Sequence, residues 1–310
     1  MKVGAAIAIG ECMVELARGE DGRFGQSFGG DTFNTAVYLA RAGVPTAYAT
    51  ALGDDPYSAG IVDLAAAEGI DTGLIRLRPG RMPGLYLIET AENGERTFHY
   101  WRDRSPAREL PESTDWSATA AALAGARLVY ISGITLSLYA PVGLDRLADA
   151  IETARANGSL IAMDGNYRPR GWGGDEVRAR RTLERFWRLT SVALPTFDDE
   201  ASLWGDADAA GTIRRIAALG PSAIAVKGGA DGAVVWTAVS GPQVVPVPRQ
   251  VTAIDTTAAG DSFNAAYLAA RLAGRPAAEA AMAGHRLAGV VVAHRGAIVP
   301  AAATAAVLNT

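Results

Sequence analysis

From Leu128 onward the chain alternates short apolar runs with segments of helical period, and this alternation constrains its fold more than any other feature. Strand-like runs at Leu128 to Ile134, Leu160 to Asp164 and Val192 to Pro195 are separated by helical periods at Gly143 to Ala156 and Glu176 to Leu189. Such βαβ order predicts a parallel sheet covered on both faces by helices and joined by right-handed crossovers. Ligands of these sheets gather at the carboxyl ends of the strands, so the loops that follow them are where chemistry is expected. With 310 residues, 49% of them hydrophobic, the chain can bury a large core, either as two domains or as one large α/β domain with an appendage.

Two early regions break the rhythm. Glu11 to Arg18 with Arg23 to Phe28, and Pro83 to Thr90 with Arg96 to Arg102, read as strand pairs joined by polar turns at Gly19 to Gly22 and Ala91 to Glu95. Hairpins at about 11–28 and 83–103 that interrupt an α/β series are expected to meet as a small second sheet, a lid; two unrelated surface hairpins are the alternative. Apolar lid residues such as Leu85, Leu87, Phe98 and Trp101 offer a surface for homo-oligomer pairing, although a monomer with a covered edge fits equally.

The formal charge of -4 gives no basic character, so nucleic acid is a poor partner. The lone cysteine, Cys12, excludes an intrachain disulfide and a multi-cysteine metal site, suits a reducing compartment and reads as an apolar filler. The apolar run up to Gly10 is too short for an export leader and is expected to be a buried first strand. No stretch approaches the roughly 18 apolar residues of a membrane span. A soluble, cytoplasmic protein is expected.

Asp255-Thr256-Thr257-Ala258-Ala259-Gly260-Asp261 places a carboxylate beside a turn of small residues. Phe263, Ala266, Tyr267 and Ala270 follow helical spacing, and Gly274 and Pro276 end it, so the turn lies at a helix N-terminus. Backbone N–H groups there can approach an anion, and the helix adds its positive end. Asp261 then stands where a general base is useful, although an ordinary helix with an aspartate in its first turn has the same pattern. A second glycine motif, Gly29-Gly30, leads into a helix with Phe33, Ala36, Val37 and Ala40 on one face and Asn34 on the first turn. No Walker A loop occurs, which disfavours a P-loop mechanism.

These two motifs, the interleaved hairpins and the βαβ series together resemble the PfkB, or ribokinase-like, family of carbohydrate kinases over nearly the whole chain. The resemblance implies a ribokinase-like three-layer α/β/α domain spanning 1–310, with a mostly parallel sheet and a small β-sheet lid. It also implies ATP and Mg2+ as cofactors. Carried over, Asp261 is the base that deprotonates the sugar hydroxyl, while Ala258, Ala259 and Gly260 donate the amides of an anion hole for the transferred phosphoryl group. The family commonly has glycine where Ala258 stands; alanine serves provided the turn does not demand a positive φ. Val226-Lys227-Gly228-Gly229-Ala230-Asp231-Gly232 is similar to the nucleotide-loop segment, so Lys227, Gly228, Gly229 and Gly232 are expected near the nucleotide, with Gly260 beside them and Asn166 reaching toward the phosphates. A strand-ending surface lysine is the alternative for Lys227.

Many members carry Asn-x-x-Glu linked to magnesium, whereas this chain has Phe197 in the asparagine position if Glu200 aligns. Glu200 is the candidate for holding magnesium-bound water; a solvated carboxylate near a helix start is the alternative. Tyr100-Trp101-Arg102, Asn166-Tyr167-Arg168-Pro169-Arg170-Gly171-Trp172 and His294-Arg295-Gly296-Ala297 are similar to the subfamily that phosphorylates 2-keto-3-deoxygluconate at its 6-hydroxyl. A guanidinium matches a sugar-acid carboxylate in fork geometry, which points to Arg102 and Arg168, with Tyr86 and Tyr100 as phenolic donors. Gly29, Gly30 and Asn34 are expected to hold the distal hydroxyls. His99, His285 and His294 read as structural or adenine-side residues. A fructokinase- or ribokinase-type enzyme acting on a neutral sugar, and a non-catalytic sugar-acid-binding protein, remain as alternatives.

Overall fold

The computed structural model describes residues 4–19, 21–90 and 96–308. Its strands are β1 Ala6–Ile9, β2 Met13–Arg18, β3 Phe24–Gly29, β4 Thr46–Leu52, β5 Ile75–Leu77, β6 Leu85–Thr90 and β7 Arg96–Trp101, followed by β8 Leu128–Ser132, β9 Leu160–Asp164, β10 Val192–Ala193, β11 Ala223–Lys227, β12 Ala233–Thr237 and β13 Gly241–Val245. A nine-stranded sheet runs in the order β13-β12-β11-β10-β9-β8-β1-β4-β5. Its pairs from β11 to β5 are parallel, and β12 and β13 close the far edge antiparallel. The expected α/β architecture is therefore present.

Side-chain alternation divides the sheet into two unlike faces. Ile7, Ile9, Val129, Ile131, Ile161, Met163, Ile224 and Val226 point into one core, against Leu147, Ile151, Leu183 and Phe186 of the helices Pro141–Ala156 and Glu176–Trp187. The other face carries Ala6, Ala8, Ala162, Ala223 and Ala225 beside the larger Tyr48, Leu128 and Tyr130, and receives Phe33, Val37, Phe263 and Tyr267 from the helices Asp31–Arg41 and Ala259–Leu272. The small strand residues leave room for the large helix residues opposite them, so the layers interdigitate. These last two helices begin at the carboxyl-end rim of the sheet, where β1, β8, β9 and β11 also finish.

Strand ends differ from expectation where local capping intervenes. β8 stops at Ser132 rather than Ile134, because the Ser132 Oγ accepts the Thr135 N–H at 3.2 Å and opens a helix at Gly133–Leu138. The run to Pro195 is paired only at Val192 and Ala193, and the helix expected from Gly143 begins two residues earlier with Pro141 in its first turn. The N-terminal run forms the buried β1, and Cys12 beyond it is buried and free.

The two hairpins do meet, as a four-stranded sheet ordered β3-β2-β6-β7. β2 pairs with β6 in parallel, so the two hairpins are joined along their middle strands. The turn Ala91 to Glu95, and Glu20 in the other turn, lie outside the described residues. Register separates side chains that the sequence reading had grouped together. Leu85 and Leu87 stand opposite Trp101 and His99, whereas Phe98 faces Ile88 and so lies on the opposite surface, beside Tyr86 and Tyr100. Among the described residues no helix is long and apolar enough to cross a membrane.

Candidate active site

Two buried carboxylates, Asp164 and Asp261, and the buried Lys227 converge at the rim where the strands end, with the half-buried Asp31 beside them. Asp164, the last residue of β9, accepts from Lys227 Nζ at 2.5 Å and from Asn264 Nδ2 at 2.6 Å on one oxygen, and from the Asn166 N–H at 3.0 Å on the other. Lys227, ending β11, also donates to Asn264 Oδ1 at 3.1 Å, and Asn264 reaches the Tyr130 hydroxyl at 3.0 Å. Lys227 is 6% exposed, so the surface-lysine alternative is excluded. One turn before Asn264, Asp261 accepts from Asn34 Nδ2 at 2.8 Å, and Thr35 Oγ1 donates to the Asp261 carbonyl at 3.3 Å. The two glycine motifs at opposite ends of the chain thus meet, helix N-terminus against helix N-terminus.

The Asp261 carboxyl is pushed up to about 8, first by burial and then by the negative charge of Asp31, while the Asn34 hydrogen bond opposes both. A carboxyl with raised proton affinity beside a helix start suits general-base work near neutral pH. The small-residue turn before it is tighter than expected. The helix starts at Ala259, and Ala258 caps it with φ 60°, in the left-handed region, so the condition under which alanine would serve there without strain is not met. The N–H of Ala259 returns to the Thr256 carbonyl at 3.2 Å, which removes it from the expected set of anion donors. Those of Ala258 and Gly260 meet no backbone acceptor among the described residues. A Cβ added to Gly260 would stand 3.5 Å from Lys227 Nζ, so the lysine faces this turn. Asp255 secures it from behind, accepting the Thr257 N–H and the Gly296 N–H, each at 2.8 Å.

Gly30 caps the Asp31–Arg41 helix, and a Cβ there would lie 2.0 Å from the Glu11 carbonyl oxygen, a contact only glycine avoids. A Cβ on Gly29 would meet the Tyr86 hydroxyl at 2.8 Å. That hydroxyl donates to Glu15 Oε2, so Tyr86 is not the spare donor expected from the sequence; it presents acceptor capacity instead. Tyr100 lies on the same surface, 5.9 Å from Tyr86 between ring centres. Burial raises its phenol, and the positive charges of Arg102, Arg168 and Arg170 oppose that rise; Arg102 lies over the ring, 5.8 Å from its centre. Arg102 is ion-paired with the buried Glu11. Arg168 is held by Asp199 at 2.9 Å, and Arg170 Nη1 donates to the Phe98 carbonyl of β7 at 3.0 Å, fastening this loop to the smaller sheet.

A family model described as "pfkB family carbohydrate kinase" matches residues 5–304. The chain belongs to that family. It is 43% identical over 300 residues to the 2-dehydro-3-deoxygluconokinase of Escherichia coli K12, covering 94% of this chain and 96% of that protein. The protein of the same name from Dickeya dadantii is 40% identical over 301 residues, covering 94% of this chain and 96% of its own length. Among solved structures, 2-dehydro-3-deoxygluconokinase from Thermotoga maritima superposes with a TM-score of 0.86 at 21% identity over 99% of each chain. A putative ribokinase II from E. coli in complex with ATP and Mg2+ gives 0.83 at 23% identity, over 95% of this chain and 94% of its own. The ribokinase-like fold, a large mostly parallel sheet plus a smaller one, is shared with these structures.

Within this family framework Glu200 is a buried group, not a solvated carboxylate. Its Oε2 takes Arg215 at 2.7 Å, and burial pushes it up to about 7 against that cation. Its Oε1 lies under Gly165, where an added Cβ would come within 2.5 Å. Gly228, Gly229 and Gly232 form a tight loop after β11, closed by the Gly228 N–H on the Gly232 carbonyl at 2.8 Å. His99 pairs with Glu89, while His285 and His294 bond backbone carbonyls. Sequence reasoning missed Asp31, Asp164, Asn264, Glu11 and Glu15. Two of them left a signal: Asp31 directly follows Gly30, and Asn264 sits three residues beyond Asp261 on one helical face.

The left-handed Ala258 yields a stability test. Ala258→Gly removes a Cβ penalty of about 1–2 kcal/mol and adds unfolded-state entropy worth about 0.4–1 kcal/mol, so a net gain of about 0.5–1 kcal/mol is expected. Urea unfolding of the two proteins measures it; a lower midpoint for the glycine variant contradicts strain at this turn.

Proposed function

We propose that this chain transfers the γ-phosphoryl group of ATP to the 6-hydroxyl of 2-keto-3-deoxygluconate. The carrying observation is Asp261, a buried carboxyl with raised proton affinity whose helix starts at a small-residue turn faced by Lys227. In the transfer the O6–H bond breaks and its proton goes to Asp261; the O6–Pγ bond forms as the Pγ–O bond to ADP breaks. The N–H groups of Ala258 and Gly260 and the Lys227 ammonium stabilise charge spreading over the phosphoryl oxygens. Asn166 and the Gly228-Gly229-Gly232 loop line the nucleotide side. Relatives sharing 36–43% identity over nearly their whole length carry the 2-dehydro-3-deoxygluconokinase name, which supports the substrate.

For the sugar acid, Arg102 and Arg168 around Tyr100 supply the carboxylate partner, and Gly29, Gly30, Asn34 and Tyr86 line the hydroxyl side. The smaller sheet serves as a lid that excludes water from the transfer. A magnesium ion bound with the nucleotide would supply charge neutralisation at the phosphates, and few protein ligands would be needed to hold it. Glu200 fits that demand: its Oε1, turned from Arg215 toward Gly165, would accept from a metal-bound water. The buried thiol of Cys12 suits the reducing cytoplasm.

Asp261→Asn should bind sugar acid and ATP normally yet lose about 10²–10⁴-fold in turnover, and wild-type kcat/KM should climb as pH rises through about 8, since the base must be unprotonated. Near-normal turnover of the asparagine variant in an ADP-release assay sinks the assignment. Arg102→Ala or Arg168→Ala should raise KM for the keto acid roughly 10–100-fold, the value of a charge-assisted bond, while leaving fructose, ribose and other neutral sugars as poor as before. Equal activity on fructose would instead favour the neutral-sugar reading, which a fructokinase relative at 30% identity keeps in view. A dimer formed through the outer lid surface, where Trp101 and Phe24 are 61% and 48% exposed, is also proposed; sedimentation should show two copies, and Trp101→Lys should give one.

A further inference from the structure

Asp31 opens the helix after Gly30 and is bonded in two directions. Its Oδ1 accepts the Thr32 N–H at 2.8 Å, and its Oδ2 accepts Asn166 Nδ2 at 2.8 Å. Asn166 has φ 33°, a left-handed conformation that a non-glycine residue keeps only when its surroundings hold it, and its own N–H is fixed to Asp164. Arg168 follows two residues later. On the same helical turn Thr35 Oγ1 spans from the Asp31 carbonyl at 3.0 Å to that of Asp261 at 3.3 Å, and Asn34 grips the Asp261 carboxylate. Asp31 therefore touches the loop carrying Arg168 and belongs to the turn that holds Asp261.

Its charge is felt on both sides. Burial raises the Asp31 carboxyl itself, with Asp164 adding to it and hydrogen bonds from Ser132 and Asn166 opposing. Arg168, Tyr100, Tyr48 and Tyr130 all respond to it. The charged groups facing Asp261 are Asp31, Asp164 and Lys227, with the phenols of Tyr38 and Tyr130 also within its field.

We propose that Asp31 is a positioning residue that couples the two halves of the site: it binds the Asn166–Arg168 loop to the helix bearing Asn34, and it places a second negative charge beside Asp261. The coupling rests on the assignment of Asp261 as base and of Arg168 to the sugar acid. Electrostatics makes the two roles separable. Removing the charge strips a destabilising neighbour from the Asp261 anion, so its titration must move to lower pH; lengthening the side chain keeps the charge but displaces Asn166.

The test compares wild type, Asp31→Asn and Asp31→Glu, each checked for an unchanged thermal melt, with the Asp261 carboxyl carbon followed by NMR against pH and identified through Asp261→Asn. Asp31→Asn should titrate Asp261 at lower pH and raise KM for the keto acid about tenfold, the cost of one charge-assisted bond. Asp31→Glu should leave the titration near its wild-type position and still raise KM. An unmoved Asp261 midpoint in Asp31→Asn, or an unchanged KM in both variants, overturns the proposal. If the midpoint moves but the wild-type protein fails to phosphorylate the keto acid, the substrate assignment falls while the charge coupling stands. If Asp31→Asn does not fold, the Asp31→Glu pair of readings decides alone: an altered Asp261 midpoint or an unchanged KM then counts against the coupling.

Discussion

The whole site hangs on the Lys227–Asp164 pair. Three carboxylates, Asp31, Asp164 and Asp261, are brought together at the rim of the sheet, and Lys227 is the cation whose ammonium touches one of them inside the protein. Buried charges are tolerable only when paired and hydrogen-bonded, and breaking such a pair costs about 3–5 kcal/mol. The pair also spans two strand ends and, through Asn264, the helix that carries Asp261. Position and electrostatics are thus supplied by the same contacts: the lysine that holds the strand ends together is the one that faces the anion turn.

Most of this architecture was legible because it rests on periodicity and on small-residue turns. The βαβ order from Leu128 announced a parallel sheet, and its buried strands are continuous apolar runs, as strands covered on both faces must be. The hairpins were readable from alternation and polar turns, and their joining in one sheet followed from their interruption of the rhythm. Asp261 alone has the pattern of an ordinary first-turn aspartate, and it was readable as a base because the small-residue turn before it and the Gly29-Gly30 motif together resemble one family's pair of signatures.

What escaped reading is long-range. Asp164 and Lys227 are far apart in sequence, and each alone reads as a strand terminus; only the sheet order that sets β9 and β11 on either side of β10 brings them together. The positive φ of Ala258 is a property of the turn closed by Asp255 and Gly296, a contact across 41 positions. Phe98 shares its hydrophobicity with Leu85 and Leu87 but not its parity along the strands, and parity decides which surface of the sheet a side chain joins. The engagements of Tyr86 with Glu15 and of Arg102 with Glu11 depend on β2 lying beside β6, a pairing no local pattern specifies.

The two faces of the large sheet differ in how far a change of volume reaches the site. The helices that bear Asn34 and Asp261 lie on the face that carries Ala6, Ala8, Ala162, Ala223 and Ala225, where added volume on a strand presses on a helix and on the reacting group it carries. The isoleucine-lined face supports helices that carry none of the proposed transfer groups, so volume can be traded there among neighbours while the chemistry stays in register. Tolerance of volume changes is therefore unequal: one side of the sheet can trade bulk among neighbours, while on the other an added methylene at Ala6, Ala8, Ala162, Ala223 or Ala225 bears on a helix that carries Asn34 or Asp261.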